Sequence, residues 1–110
     1  MKVTVVARHM EVTSAMREYA LERVEKLPHY YDGLMSVDVT FDMEAGQHTV
    51  EVVASGKKKS VFVVRHRGDD MYACMDQAMH KLEEQLRRHK DRIRDRHAPP
   101  AGGRGPEAGL

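Results

Sequence analysis

A single cysteine, Cys74, stands in a chain of 110 residues. It excludes an internal disulfide framework and points to a reducing compartment. No apolar run approaches the ~20 residues that span a bilayer. The N-terminal MKVTVVARHMEV alternates where a secretory signal would run apolar. These absences predict a cytoplasmic protein with no membrane partner. The seven histidines make no HExxH, no HxxxH pair on one helix turn and no cluster with the cysteine, so no metal is expected. Neither Gly56 nor Gly68 opens a phosphate-binding loop closed by lysine and serine or threonine. Cys74 as a nucleophile needs a base and an oxyanion site that the pattern does not supply, and a packed, inert thiol is the simpler reading. A small hydrolase using a histidine with Asp38 or Asp42 lacks any nucleophile-to-base spacing. The expectation is therefore no enzyme, no catalytic residue, no cofactor and no small-molecule substrate.

What the chain does have is charge, unevenly placed. The formal net charge is only +1. Yet residues 11 to 54 hold nine acids against Arg17, Arg23 and Lys26, while residues 55 to 97 hold twelve basic residues against seven acids. Local fields within a Debye length decide binding, so the second half carries the signal and the global value hides it.

The length fits one domain with a small core. Val3, Val5 and Ala7 alternate with polar neighbours as a first strand. A helix capped by Thr13 or Ser14 runs to about Leu27, before Pro28, with Met16, Ala20, Val24 and Leu27 on one stripe. Val37, Val39, Phe41 and Met43 form a second strand, Val50, Val52 and Ala54 a third, and Val61 to His66 a fourth, joined by turns at Ala45-Gly46 and SGKKKS. Phe62 and Val64 on the fourth strand are candidates for an exposed apolar edge. A second helix begins near Asp70 and buries Met71, Met75, Ala78, Met79, Leu82, Leu86 and Ile93. The fold class is α+β: an α/β two-layer sandwich in the order β-α-β-β-β-α, with a four-stranded sheet and both helices on one face. The domain is expected to cover residues 1–97. Residues 98–110, rich in Pro and Gly, are expected to form a disordered tail.

The second helix starts apolar and ends as a cationic arm, suited to a polyanion such as nucleic acid. Lys81, Arg88 and Arg92 fall within about 40° of one another around it, a stripe that can follow a phosphate backbone. An ordinary solvated face is the bland alternative. Arg23 and Lys26 flank the stripe of the first helix beside Tyr19, placed to line a groove with the second, although Arg23 also has Glu22 and Glu25 as neighbouring partners. Lys57, Lys58 and Lys59 form a cationic hairpin tip, read either as a solubility device or as a secondary phosphate contact. Asp69 and Asp70 read as capping residues of the second helix.

EVTSAMREYALERVEKLPHYYD (Glu11 to Asp32), a meander, and DMYACMDQAMHKLEEQLRRHKDRIR (Asp70 to Arg94) together resemble the ribosome hibernation-promoting factor family, which includes the ribosome-associated inhibitor A group. DMYACMD followed by KLEEQLRRHKD is the most specific piece, similar to the family pattern Asp-Met-Tyr-x-x-Ile-Asp and Lys-Leu-x-x-Gln-Leu-x-Lys. The resemblance implies a cytoplasmic translation inhibitor of the stress response and stationary phase. Such a protein binds the small ribosomal subunit and its rRNA over the A and P sites and the mRNA channel, and so keeps idle ribosomes inactive but intact. Carried over by position, the RNA-binding residues are Arg23, Lys26, Lys81, Arg88, Lys90, Arg92 and Arg94, with Arg87 added as a cation that partly offsets Glu84, Tyr72 reaching the RNA surface and Met71 chiefly packing. Glu84 departs from the family, standing where familiar members often carry arginine. The chain is expected to be a short-form member, acting on single ribosomes or forming ribosome dimers with a separate factor. A general double-stranded RNA-binding domain, whose α-β-β-β-α order is similar to residues 13 to 95, is the rival.

Overall fold

The computed structural model describes residues 1–97; the predicted tail at 98–110 lies outside the described residues. The elements are β1 (Lys2–Arg8), α1 (Ser14–Val24), β2 (Leu34–Glu44), β3 (Gln47–Gly56), β4 (Val61–Gly68) and α2 (Met71–His97). The sheet order is β1-β2-β3-β4, with β1 parallel to β2 and the other two pairs antiparallel. This is the predicted β-α-β-β-β-α sandwich.

Register explains why one face of the sheet is apolar. Val5, Val39, Val52 and Val64 lie in one row across the four strands, with Val3, Val37, Ala54 and Phe62 on one side of it. Ala7, Phe41, Val50 and His66 make the row on the other side. Side chains alternate along a strand, so three rows two residues apart share a face. Both helices cover that face: α1 contributes Met16, Ala20 and Val24, and α2 contributes Met71, Met75, Ala78, Met79, Leu82 and Leu86, all in one buried cluster. α1 packs on β1, and α2 packs on β3 and β4. Each fully buried large side chain, such as Leu82 or Phe41, contributes about 1.5–3 kcal/mol relative to exposure.

Local chemistry sets the element ends. Thr13, not Ser14, caps α1, its hydroxyl accepting from the Met16 amide at 3.1 Å. The regular helix stops at Val24, short of the predicted Leu27. Pro28 then belongs to a 3-10 turn at Leu27–His29, where its missing N–H costs nothing. Leu27 is buried all the same. Asp70 caps α2, its carboxylate accepting from the Ala73 amide at 3.0 Å, while Asp69 accepts from the Gln47 side-chain amide. Ala45 and Gly46 both have positive φ, 50° and 77°, the pattern of the tight turn that suits twisted hairpins.

One expectation is overturned. Phe62 and Val64 are 7% and 4% exposed; they face α2 in the rows described above. Val61 and Val63, one residue out of phase, are the exposed pair at 59% and 52%. In a strand a single-residue shift moves a side chain to the opposite face, and β4 alone, with valine at both phases, did not declare which set turns inward.

Candidate nucleic-acid interface

Two helices lying side by side on one face leave a groove between them, and residues one helical turn apart build its walls. Arg23 is its centre. The Arg23 Nε donates to Asp76 Oδ1 at 2.7 Å and Tyr19 Oη donates to the same oxygen at 2.7 Å. The Arg23 guanidinium also donates to Tyr19 Oη at 2.5 Å and lies 4.1 Å from the centroid of the Tyr19 ring. Tyr72 meets that ring edge-on, centroids 5.0 Å apart at 88°. Burial works against the Asp76 charge, but hydrogen bonds from Arg23 and Tyr19 outweigh it and hold the carboxyl below its ordinary range. The hydrogen bond to Asp76 in turn pushes the Tyr19 phenol up and reinforces the Arg23 charge.

Arg23 thus has a partner that the sequence did not offer. Glu22 and Glu25 were its predicted partners; Asp76, 53 residues away, takes their place because α1 runs beside α2. A phosphate approaching Arg23 must compete with that carboxylate. Lys26 is exposed beside it, lining a groove of about 320 Å³ with Tyr30, His80 and Glu83. Tyr72, 37% exposed, is divided between packing on Tyr19 and reaching solvent.

The cations of α2 separate into two flanks. Lys81 turns away from α1: its Nζ donates to the Arg65 carbonyl at 3.1 Å and lies 3.2 Å from His66 Nδ1. Gln85 donates to the Val63 carbonyl at 3.3 Å. These two side chains occupy carbonyls along the outer strand of the sheet, so Lys81 acts first as a brace between α2 and β4. Arg88 and Arg92 follow Lys81 on this flank, whereas Arg87, Lys90 and Arg94 fall on the flank facing α1. Arg87 lies 5.5 Å over the Tyr30 ring. The stripe of Lys81, Arg88 and Arg92 therefore keeps to one flank, and the other cations of α2 carried over by position lie on the other.

The flanks converge beyond Leu86, which among the described residues is the last fully buried position of α2. From there five cations, Arg87, Arg88, Lys90, Arg92 and Arg94, lie on the two flanks of the helix, while His89 still meets Phe62 of β4 and Ile93 remains partly buried. Glu84 sits at the base of this end, 3.9 Å from Arg87 and 3.5 Å from Arg88. Both are exposed pairs of the kind worth ~0–1 kcal/mol. A multivalent phosphate chain can replace them, so Glu84 tempers the surface without closing it.

Cys74 is buried, and burial, then the nearby Asp70 and Asp69 charges, push its thiol up, away from the nucleophilic thiolate. His9 and Asp42 do pair, at 2.8 Å, and that bond lowers the Asp42 carboxyl. Asp42 also accepts from the Met43 amide, so the pair latches the end of β1 to β2. No nucleophilic side chain is hydrogen-bonded to His9 among the described residues. No group of three or more potential metal ligands occurs among them either, and none of their helices is long and apolar enough to cross a membrane.

The sequence placed Tyr19 beside Arg23 on the flank of a groove with the second helix, but did not single out Asp76 or Tyr30. Their signal was present, since Tyr19 and Arg23, like Tyr72 and Asp76, are spaced i, i+4 and share a helix face. What was absent was the pairing itself, Tyr19 and Arg23 with Asp76 across the groove.

With this geometry in place, the likeness to known proteins is informative. The family model described as Sigma 54 modulation protein / S30EA ribosomal protein matches residues 3–94. A ribosome hibernation promoting factor of Pseudomonas putida is 33% identical over 92 residues, covering 84% of this chain and 89% of that protein. Its namesake in Escherichia coli is 30% identical over 94 residues, 86% of this chain and 98% of that one. Among solved structures, the N-terminal domain of protein Y from Thermus thermophilus superimposes with a TM-score of 0.74 at 26% identity, over 81% of this chain and 99% of that one. A ribosomal subunit interface protein from Coxiella burnetii shares the fold with a TM-score of 0.77 at 23% identity, over 83% and 99% of the two chains.

Proposed function

Because the chain belongs to the Sigma 54 modulation protein / S30EA ribosomal protein family, we propose that it is a non-catalytic ribosome hibernation factor. It binds the small ribosomal subunit at the decoding region, over the A and P sites and the mRNA channel, and inhibits translation by steric occlusion while idle ribosomes are preserved in the cytoplasm. The observation that carries this reading is the end of α2, where five cations line both flanks of the helix beyond its last fully buried residue. Cations presented on both flanks of one rigid rod suit a cleft walled by rRNA on two sides. Phosphate contacts of this kind supply affinity and salt dependence without base readout. The sandwich behind the rod supplies the bulk that excludes mRNA and tRNA.

A general double-stranded RNA-binding domain is disfavoured by β1, which pairs along its whole length with β2 and has no counterpart in the α-β-β-β-α order. Sucrose-gradient fractionation of cell extract with detection of the protein tests both readings. Co-migration with small subunits, whole ribosomes or ribosome dimers supports the proposal, and the dimer peak reports action with a separate factor. A protein that stays at the top of the gradient, yet shifts free duplex RNA in a gel, refutes it.

A further inference from the structure

Of the two cations on the α1 wall of the groove, Lys26 is exposed, whereas the Arg23 side chain is 29% exposed and already engaged. Its Nε donates to Asp76 and its Nη2 to Tyr19. We infer that Arg23, Tyr19 and Asp76 together form a positioning clamp, which fixes Lys26 at the groove so that Lys26, and not Arg23, meets phosphate. The inference rests on the proposed rRNA binding and deepens it, because it separates the residue of the α1 wall that touches RNA from those that place it.

The chemistry of the clamp is closed on itself. Asp76 Oδ1 accepts from Arg23 Nε and from Tyr19 Oη, both at 2.7 Å, and Tyr19 Oη accepts from Arg23 in turn. Three side chains from two helices thus satisfy one another in a triangle. Asp76, held below its ordinary range, is ionised at neutral pH. Its charge offsets that of Arg23 at contact distance, and its 47% exposed carboxylate repels an approaching phosphate. An arginine meant for RNA gains nothing from such a neighbour, whereas one meant to hold two helices together needs it.

The segment that carries Lys26 has use for an anchor. α1 has only 11 residues and buries Met16, Ala20 and Val24, so its order comes from packing and not from its own length. Val24 and Leu27 are fully buried and anchor the inner side of its end. The clamp, in the last turn of the helix, fixes the outer side, and the two anchors together leave this end one orientation. Lys26 follows directly: its amide donates to the Arg23 carbonyl at 3.2 Å, and its carbonyl accepts from the His29 amide at 3.1 Å. Tyr30, one residue further on, lies under Arg87 of α2. Holding Lys26 therefore also fixes its distance from the cations on the facing flank of α2. A cation set in place beforehand binds without the entropic penalty of being ordered.

The test is pelleting of ribosomes with the purified protein at several potassium concentrations, magnesium fixed, at a temperature where thermal unfolding shows every variant folded. Lys26→Gln should flatten the slope of log K against log salt by about 0.7–0.9, the mark of one lost phosphate contact. Arg23→Gln should weaken binding about three- to tenfold through lost preorganisation, with the slope unchanged. Tyr19→Phe alters no charge and keeps the ring, but removes the hydroxyl that ties Arg23 to Asp76. It should weaken binding about threefold or more in the natural protein and less than about 1.5-fold in the Lys26→Gln background, since the clamp acts through Lys26. A role in stability alone would leave the affinity of the folded protein as it is. A slope flattened as much by Arg23→Gln as by Lys26→Gln makes Arg23 a phosphate contact and overturns the inference. Equal losses from Tyr19→Phe in the two backgrounds, or none in either, also overturn it. A natural protein that does not pellet refutes the ribosome reading itself. The clamp is then judged on the free protein, where Tyr19→Phe should speed hydrogen exchange at the Lys26, His29 and Tyr30 amides, and unchanged rates overturn it.

Discussion

Replacing Arg88, Arg92 and Arg94 together by glutamine tests the cationic end of α2 most directly. All three are exposed, and Arg88, at 69% side-chain exposure, lies 3.5 Å from Glu84 in an exposed pair. The core is untouched, so the folding free energy should change by less than ~0.5 kcal/mol per site. Binding is another matter. Every phosphate that goes unneutralised lowers the slope of log K against log salt by about 0.7–0.9. Three such phosphates therefore flatten the slope by about 2–3. Between 50 and 200 mM salt the natural protein's affinity should fall by a factor about 15- to 40-fold larger than the variant's. Pelleting of ribosomes through a sucrose cushion at several potassium concentrations, with magnesium fixed, measures the slope, and thermal unfolding of both proteins checks the fold. A variant that binds with an undiminished slope would show that these arginines touch no phosphate, and the assignment of the helix end would fail.

Two further outcomes follow from the same geometry. Glu84→Gln frees Arg87 and Arg88 from their exposed pairs, so ribosome affinity at low salt should rise a few-fold, in line with the ~0–1 kcal/mol such pairs hold; weaker binding in the pelleting assay would contradict it. Asp76→Asn should destabilise the packing of α1 on α2 by about 0.5–1 kcal/mol at neutral pH, discounted because the pair is partly solvated. The Asp76 carboxyl is held below its ordinary value of 3.8, so this stability is present above that pH and is lost as pH falls through the lower folded value. The gap between natural protein and variant in urea unfolding should be full at neutral pH and nearly closed in strong acid, below the folded value; a gap that persists there would refute the linkage.

Particular residues show how much was legible beforehand. The alternation Val37-Val39-Phe41 and the stripe Met75-Ala78-Met79-Leu82-Leu86 declare a strand and a helix, because each period admits one buried face. Thr13, Asp70 and Ala45-Gly46 declare ends and turns, since capping and positive φ are local chemistry. β4 was ambiguous because both of its phases carry valine. Arg23 was legible as a cation beside the apolar stripe, but its partner was not. Lys81 was legible as a member of a basic stripe, but the carbonyls that claim it lie on another element.

The period of its apolar residues, its caps and its charge asymmetry thus determined which elements this protein forms, which face of most of them is buried, and that its last helix ends in cations. Those are short-range properties, set by 3.6- and 2-residue periods and by side chains reaching their own backbone. Only the tertiary structure decided how the cations divide. It committed Arg23 to Asp76 and Lys81 to the Arg65 carbonyl, and it left the far end of α2 exposed on both flanks. It also set Lys57 and Lys58 on one cleft with Tyr31 and His89. The physical reason is that a charge is available only if nothing nearby has neutralised it, and what lies nearby in space is settled by packing between elements distant in the chain.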